Sequence, residues 1–363
     1  MSTALFDHAL RLQQLHPDTP LPRDGEPFPD EAAHPDRQPA RTREGPRRKG
    51  AGAAAVLDAH FADADATPAD LVDAFHDVYV PIHRNDHIAA AALRAGRKRV
   101  RRTGRWLVRH STDRCSVTVG LALLATDHDD RDIPLIQTIG LLSEHFGALA
   151  AEALQRRRDG GPALLWLAQR TAGWGRVYVI EAMCRRGVHG SSRDWLLRHA
   201  CDGDFLAGYY AGKVAIAAQL HPAIVDPDAD EALIDHTGRI LSTMADCSGM
   251  GSTLEHYPSA AAVLTAHAGH LGRLAPTVHR YVTAATIADH LAKRPPERNG
   301  CTPEQRDGLV RQYLAVLDRQ DWCDTARAGL APDDGFTVWF VAETAARLRL
   351  RAFSGTGADP RAE

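Results

Sequence analysis

The feature that most constrains the fold of this chain is an internal similarity that returns after about sixty residues. The segments 106–108 (Trp-Leu-Val) and 117–119 (Val-Thr-Val) are matched, without a gap, by 166–168 (Trp-Leu-Ala) and 177–179 (Val-Tyr-Val). Self-similarity at a fixed period is typical of repeat architectures, in which every copy is one supersecondary unit. The sequence therefore predicts an array of stacked copies.

The repeat unit is about half of this interval, or about thirty residues. The segments that match at the shorter interval are 133–136, 146–147 and 152–154 on one side and 161–164, 174–175 and 181–183 on the other. Each unit has one apolar segment, a break containing Gly, Asp or Ser, and a second apolar segment. Ala, Leu and Arg dominate the sequence and favour helix. Because neither helix can cover its apolar face alone, we expect neighbouring copies to stack.

The two-helix unit, its period, the proline near its start and its paired Ala and Leu positions resemble HEAT-like repeats over about residues 93–293. This resemblance implies an all-α fold, an α-solenoid of antiparallel helix pairs with irregular C-terminal helices. A buried strand over 177–180 is the alternative, since this run is β-branched and aromatic. The corresponding segments 148–151 and 210–213 are poor strand formers, which favours helix.

Prolines and capping signals divide the rest of the chain. The predicted segments are a short N-terminal helix (1–16), a Pro-rich and charged linker that is disordered (17–52), the HEAT-like array (53–300), C-terminal capping helices (301–353) and a disordered tail (354–363). The capping helices begin at Thr302-Pro303, where a hydroxyl cap precedes a proline at the first helical position. Gln305 follows at the position that completes a capping box.

Composition limits the compartment and the partners. The net charge is −3, so the whole chain is not a polycation and any affinity for nucleic acid must be local. The six cysteines are placed singly, without a C-x-x-C pair, which indicates reduced thiols. The start does not resemble a secretory signal, and no apolar run approaches the length of a membrane span. We expect a cytoplasmic protein with no membrane partner.

Cations are concentrated between residues 94 and 109. The candidate polyanion-binding residues are Arg94, Arg97, Lys98, Arg101, Arg102, Arg105 and Arg109. On one long helix they would share a solvent-facing surface, opposite an inward stripe from Leu93 through Val100 to Leu107. Such a surface could neutralise the phosphates of a nucleic acid with a strongly salt-dependent affinity. The alternative is a solvated outer helix paired with acids of adjoining turns, such as Asp86, Asp127, Asp129 and Asp130.

Aromatic residues recur at the repeat spacing together with arginines and an aspartate. The candidate concave-surface residues are Trp166, Arg170, Trp174, Arg176, Asp194, Trp195, Tyr209 and Tyr210. An exposed set of this kind would suit a peptide or a base. The alternative is that these rings form the core between repeats.

Some HEAT-like proteins resemble DNA alkylation-repair glycosylases, which use aromatic residues and an aspartate on the concave face. In this chain Trp166, Trp174, Asp194 and Trp195 are the residues similar to such a set, without an alignment to that family's order. A glycosylase-like enzyme is therefore the third functional hypothesis. The first is a non-catalytic protein-interaction scaffold or adaptor that binds another protein, and the second is nucleic-acid binding through the basic segment 94–109.

Motifs for other chemistry are absent from the sequence. The pairs His83/His87 and His267/His270 have spacings that permit ligation from one helical face, but no Cys or carboxylate accompanies them in a metal signature. There is no nucleophile elbow, Walker lysine, dinucleotide-binding glycine motif or kinase motif set. We expect no metal and no cofactor, and assign no catalytic residue.

Overall fold

The computed structural model describes residues 3–32, 49–203 and 205–354. Within these ranges the secondary structure is helical and contains no strand, which confirms the all-α class. None of the helices in these ranges has both the length and the apolar character that a membrane crossing requires. The chain forms two compact units, Met1–Val188 (unit 1) and His189–Glu363 (unit 2), and the boundary falls inside the predicted array 53–300.

The described residues of unit 1 form helices that follow the predicted period. They are α1 (Leu5–Leu15), α2 (Ala51–Ala62), α3 (Asp86–Arg94), α4 (Arg97–His110), α5 (Arg114–Leu124), α6 (Ile133–Gly140), α7 (Ser143–Gln155), α8 (Gly160–Ala168) and α9 (Gly173–Arg186). α5, α7 and α9 begin 29 and 30 residues apart. Residues 177–180 lie within α9, so the strand alternative is wrong.

The basic segment is not one helix. Ala95 and Gly96 have extended backbone torsions, so α3 ends at Arg94 and α4 begins at Arg97. Leu93 is 77% exposed on α3, and the buried stripe of α4 runs only from Val100 to Val108. The prediction of one continuous helix with an inward Leu93 is therefore wrong, because the break changes the direction of the chain before α4 begins.

The helices of unit 1 pack in two rows. α4, α5, α6, α7, α8 and α9 contact one another in the sequence pairs α4–α5, α6–α7 and α8–α9. Next-but-one neighbours also touch, with α4, α6 and α8 in one row and α5, α7 and α9 in the other. Glycine permits the close approach of α4 and α5, since a Cβ at Gly120 would lie 2.8 Å from Leu107 Cβ and 3.0 Å from the Gly104 carbonyl oxygen.

Residues 17–32, which we name the N-terminal strap, lie on unit 1 and differ in this from the disordered linker that the sequence predicts. Leu21, Phe28 and Asp30 of this strap are buried. Its prolines exclude an α-helix, as expected. An extended chain can nevertheless be held by its side chains, and here carboxylates bind the ends of helices. Residues 33–48 of the predicted linker and 355–363 of the predicted tail lie outside the described residues.

Unit 2 begins with shorter helices and ends with the C-terminal ones. They are α10 (Gly190–His199), α11 (Ala211–Ala217), α12 (Leu220–Ile224), α13 (Glu231–Asp246), α14 (Ala260–Leu271), α15 (Val278–Lys293), α16 (Pro303–Leu317), α17 (Gln320–Gly329), α18 (Gly335–Trp339) and α19 (Ala346–Leu348), with a π-helical turn at Phe340–Ala345. Again α12, α14 and α16 contact in one row, and α11, α13, α15 and α17 in the other. The capping box at Thr302 and Gln305 is confirmed.

Histidines occupy polar positions in the core of unit 2. The backbone N–H of Cys201 donates to Nε2 of His236 (2.9 Å), so Nδ1 carries the proton and donates to the Leu197 carbonyl (2.8 Å). His267 Nδ1 lies 2.9 Å from the hydroxyl of buried Tyr313. Burial lowers the pKa of His236 to about 4 and that of His267 to about 3, so both rings are neutral at pH 7.

Candidate polyanion-binding site

Three arginines of α4 turn toward the loop between α5 and α6, because Arg97, Arg101 and Arg105 follow one another at four-residue intervals. Arg97 Nε donates to Asp127 Oδ1 at 2.9 Å. Arg101 bonds Asp127 and lies 2.7 Å from Asp129 Oδ2. Arg105 bonds Asp132 and donates to Asp129 at 3.1 Å. These arginines are neutralised by carboxylates of the neighbouring turn, as the alternative in the sequence analysis expects.

The carboxylates of this cluster are less exposed than the guanidinium groups that pair with them. Asp127 and Asp132 are each 2% exposed. Burial opposes the charge of Asp127, but hydrogen bonds from Arg101 and Arg97 outweigh it and hold the pKa well below its usual range. The hydrogen bond from Arg131 likewise lowers the pKa of Asp129. Asp127 and Asp129 are therefore ionised at neutral pH.

Arg157 supports the same loop from the opposite side. Its guanidinium is completely buried and donates to the carbonyl oxygens of Ala153 (2.6 Å), Asp129 (3.1 Å) and Leu124 (3.3 Å). It also lies 3.6 Å from Asp132 Oδ2. Arg157 thus joins the ends of α5 and α7 to the loop that holds the α4 arginines. This fixes the positions of those arginines.

Lys98, Arg102 and Arg109 of α4 line a cleft. Lys98 and Arg102 make no hydrogen bond or ion pair with any residue that the structure describes, and Arg109 lies over the ring of Phe6 at 4.1 Å. Arg94, on α3, is separate from them and pairs with Asp58 at 2.6 Å. Among the described residues, Lys98, Arg102 and Arg109 thus have no carboxylate partner, whereas the other cations of the predicted set are paired.

This α4 cleft is open and has a volume of about 790 Å³. Its lining consists of Lys98, Arg101, Arg102, Arg105, Trp106, Arg109 and His110 of α4, with Arg131, Asp132 and Leu135 opposite. The rings of Trp106 and His110 are 5.2 Å apart. Because Asp132 is buried beneath its arginine partner, the surface that faces solvent carries positive charge. Guanidinium groups can bind phosphate bidentately, and an indole can stack on a base.

The candidate concave-surface residues of unit 1 are partly covered. Arg170 lies over the ring of Trp166 at 4.5 Å and is itself bonded to Pro17 and Asp18 of the N-terminal strap. Trp174 is 37% exposed and stacks on Tyr178, with ring centroids 6.1 Å apart. Arg176 is half-buried. Of this half of the set, Trp174 presents the largest accessible ring.

The other half of the set belongs to unit 2. Tyr210 is completely buried and donates to the carbonyl of Ala200 at 3.1 Å, so it is a core residue and is not accessible to a ligand. Asp194 is exposed, 4.0 Å from Arg198, while Trp195 and Tyr209 are half-buried. Within neither unit does the structure bring the glycosylase-like set together, since Trp166 and Trp174 belong to one unit and Asp194 and Trp195 to the other.

The histidine pairs are engaged in other contacts. His267 faces Tyr313, His270 Nε2 lies 2.7 Å from the Ile224 carbonyl, and His83 packs edge-on against Tyr178. Across residues 3–32, 49–203 and 205–354, no group of three His, Cys, Asp or Glu side chains is placed to hold a metal ion.

Sequence reasoning missed Arg157 and the strap residues Asp24 and Asp30. Arg157 lies between two other arginines, and nothing in the sequence distinguishes it from them. The acids of the strap, by contrast, recur every six residues at Asp18, Asp24 and Asp30, a regularity that could have been noticed. Comparisons of this chain with protein-family models, with curated proteins and with solved structures gave no match. The function is therefore argued from the geometry.

Proposed function

We propose that each unit is a stack of HEAT-like helix pairs, that is, a short α-solenoid. The support is the packing of next-but-one helices in two rows, together with the 29- and 30-residue spacing of α5, α7 and α9. A helix pair that leaves one apolar face uncovered gains its core from the adjoining pair. The predicted array would then consist of two such stacks in sequence.

We propose that the protein is a non-catalytic binding protein whose α4 cleft holds single-stranded nucleic acid. The observation that carries this proposal is that Lys98 and Arg102, beside Trp106, have no partner among the described residues, while the neighbouring arginines are already neutralised. Unpaired cations are available for phosphates, whereas paired ones would first have to lose a carboxylate. A single strand is favoured because its unstacked bases can pack on Trp106.

The test is the salt dependence of binding to a labelled single-stranded oligonucleotide, followed by fluorescence anisotropy. We expect Lys98→Gln with Arg102→Gln to lower the affinity at least tenfold. The slope of log K against log salt should fall by about 1.4, since each lost phosphate contact contributes about 0.7 for single strands. Arg94→Gln is the matched control, because Arg94 is already paired with Asp58. Unchanged binding by the double variant would reject the proposal.

A second substitution separates stacking from charge. Trp106→Leu removes the ring and keeps every cation of the α4 cleft. We expect a roughly tenfold loss of affinity with an unchanged salt slope, since stacking contributes about 1–3 kcal/mol per base. An equal affinity for duplex and single strand, with no effect of this substitution, would contradict the single-strand preference.

As a second function we propose a protein-interaction scaffold, which the exposed ring of Trp174 favours. It stacks on Tyr178, which in turn packs against His83 at 5.2 Å, and such a row of accessible rings suits a protein partner. A pull-down from native cytosol at low and high salt tests it. We expect a partner that survives high salt and is lost with Trp174→Ala but kept with the double variant of Lys98 and Arg102. A partner retained by Trp174→Ala would contradict this role.

A further inference from the structure

The N-terminal strap (residues 17–32) occupies unit 1 in the way that a bound peptide occupies a receptor. Three of its carboxylates meet three successive places on the helix stack, which we name the track: the end of α8 at Arg170, the start of α7 at Ser143, and the start of α5 at Arg114. The strap runs against the order of the repeats, since its first acid meets the last of these places. Its own contacts with the stack are thus long-range throughout.

The polar anchors of the strap are specific. Arg170 donates to Asp18 at 2.7 Å and to the Pro17 carbonyl at 2.6 Å. Asp24 accepts from the backbone N–H groups of Ser143 (2.9 Å) and Glu144 (2.7 Å) and from the Ser143 hydroxyl (2.6 Å). A carboxylate there satisfies donors that the start of α7 leaves unpaired and interacts favourably with the helix dipole.

Arg114 forms the strongest part of the track. Its backbone N–H donates to Asp30 at 2.9 Å, and its guanidinium donates to Asp30 at 2.8 Å and to Glu31 at 2.8 Å. The same guanidinium lies over the ring of Phe28 at 4.8 Å. Phe28 is 4% exposed and stacks on Phe146, with ring centroids 6.3 Å apart. One side chain of the stack therefore recognises both an aromatic ring and a carboxylate two residues later.

The strap is bound with strain. Arg23 and Asp24 have φ values of 48° and 53°, a left-handed conformation that is strained for residues other than glycine. Burial also raises the pKa of Asp24 to about 6, against the three donors that lower it. Part of the favourable contact energy is therefore offset within the strap itself. A peptide that reaches the same anchors without this strain would compete with it.

We propose that the strap is an internal ligand, and that the track recognises an extended acidic peptide of a partner protein. The peptide would carry carboxylates about six residues apart and an aromatic residue two positions before the last of them, as at Phe28 and Asp30. Charge complementarity supports this occupant, because Arg114 and Arg170 are the cations of the track and the strap supplies their acids. The proposal does not depend on the α4 cleft, which other residues line.

The experiment uses the full-length chain and a labelled synthetic peptide with the sequence of residues 17–32. In the native chain the tethered strap competes, so peptide binding is weak. Phe28→Ala with Asp30→Asn in the chain weakens only the strap, and we expect the native peptide to bind this variant at least tenfold more tightly than it binds the native chain. A peptide carrying the same two substitutions is the control and should not bind. Adding Arg114→Gln to the variant chain should abolish peptide binding.

A second measurement decides the question if the strap variant does not fold. Protease sites inserted after residues 16 and 40 of the otherwise native chain allow the strap to be released after folding, while α1 stays packed on α4 and α6. We expect the labelled peptide to exchange onto the cut chain in gel filtration. No peptide bound to the cut chain would overturn the proposal, because the strap would then be a fixed part of the fold. Concentration-dependent dimers that exclude the peptide would also overturn it, in favour of exchange between two copies.

Discussion

Units 1 and 2 pack their helices in the same two-row order but satisfy their buried polar groups by different means. Unit 1 buries charged pairs, such as Arg114 with Asp30 and Arg157 near Asp132. Unit 2 buries neutral imidazoles, His236 and His267, in hydrogen bonds to a carbonyl and a tyrosine. The contrast is one of degree, because unit 2 also has a buried arginine, Arg280, paired with Asp235. One helix arrangement can therefore bury either ionised pairs of arginine and aspartate or neutral histidines.

The largest effect is expected from Arg157→Ala, which should destabilise unit 1 by about 3–5 kcal/mol. The substitution leaves the buried carboxylate of Asp132 with one partner fewer and removes the guanidinium donor from three carbonyl oxygens, of which those of Leu124 and Asp129 keep a backbone N–H. Hydrogen exchange of peptides from α5 and α7, followed by mass spectrometry, measures this loss, while peptides from α13 and α15 should keep their protection. Arg156→Ala is the neighbouring control, because Arg156 is 34% exposed and its one ion pair within the described part of the chain is with Glu152. Equal effects of the two substitutions would remove the special place given to Arg157.

Lowering the pH should destabilise unit 2 more than unit 1. In the unfolded chain a histidine takes up a proton below about pH 6.5, whereas a buried histidine stays neutral until the pH reaches its lower folded pKa. The folded state therefore keeps its full stability above pH 6.5 and loses stability as the pH falls from 6.5 toward the folded pKa. With folded values of about 4 and about 3, His236 and His267 should each cost unit 2 roughly 2 kcal/mol at pH 5.

Unit 1 should resist the same change. Asp127 and Asp129 have pKa values below the ordinary 3.8, so their contribution is lost only below about pH 4. Asp24, with a pKa raised to about 6, favours the folded state as the pH falls through that value, while burial lowers the pKa of His60 and opposes this gain. Hydrogen exchange at pH values from 7 to 5, corrected for intrinsic rates, should show α13 and α14 losing protection before α5 and α7. The reverse order would contradict the comparison.

A smaller effect is expected from Tyr313→Phe, which should destabilise unit 2 by about 1–2 kcal/mol. It removes the hydroxyl that meets His267 Nδ1 and leaves a buried ring nitrogen without its partner. Thermal unfolding followed by circular dichroism, with hydrogen exchange to locate the change, is the measurement. Tyr79→Phe in unit 1 is the control, because Tyr79 is 37% exposed and should change little. A loss of stability smaller than that of the control would mean that the hydrogen bond between the Tyr313 hydroxyl and His267 does not stabilise unit 2.

The smallest effect is expected from Asp58→Asn. It breaks the ion pair with Arg94 at the surface of unit 1, where both side chains are about half exposed and water screens the charges. The melting temperature should not change measurably. A clear loss of stability would show that unit 1 depends on its surface ion pairs as well as on its buried ones. The buried pairs would then no longer be what distinguishes unit 1 from unit 2.

The sequence predicted the parts of the fold that depend on neighbours along the chain. The period places α5, α7 and α9, and the capping box places the start of α16, because both signals lie within one helix or one repeat. The break at Ala95 and Gly96 was missed because alanine favours helix and one glycine is a weak stop signal.

The sequence predicted which residues belong to the candidate site, but not how those residues are arranged. Which cations are free depends on Asp127, Asp129 and Asp132, about 24 to 30 residues after their partners. The sequence indicates two of these acids as possible partners, but it does not indicate which arginines they reach. The sequence predicts a linker at the N-terminal strap because the partners of the strap on the track lie 83 to 153 residues away, and a local pattern carries no information about them.

The distance of those partners along the chain also sets an order of events during synthesis. The strap leaves the ribosome before the helices on which it packs, and its last anchor, Arg170, is made 153 residues after Pro17. The helix pairs between them can assemble as they emerge, since their contacts span about one repeat. The strap therefore cannot pack, and Phe28 stays exposed, until Phe146 and its neighbours have been translated. During that interval the growing track offers a vacant place to any acidic peptide nearby.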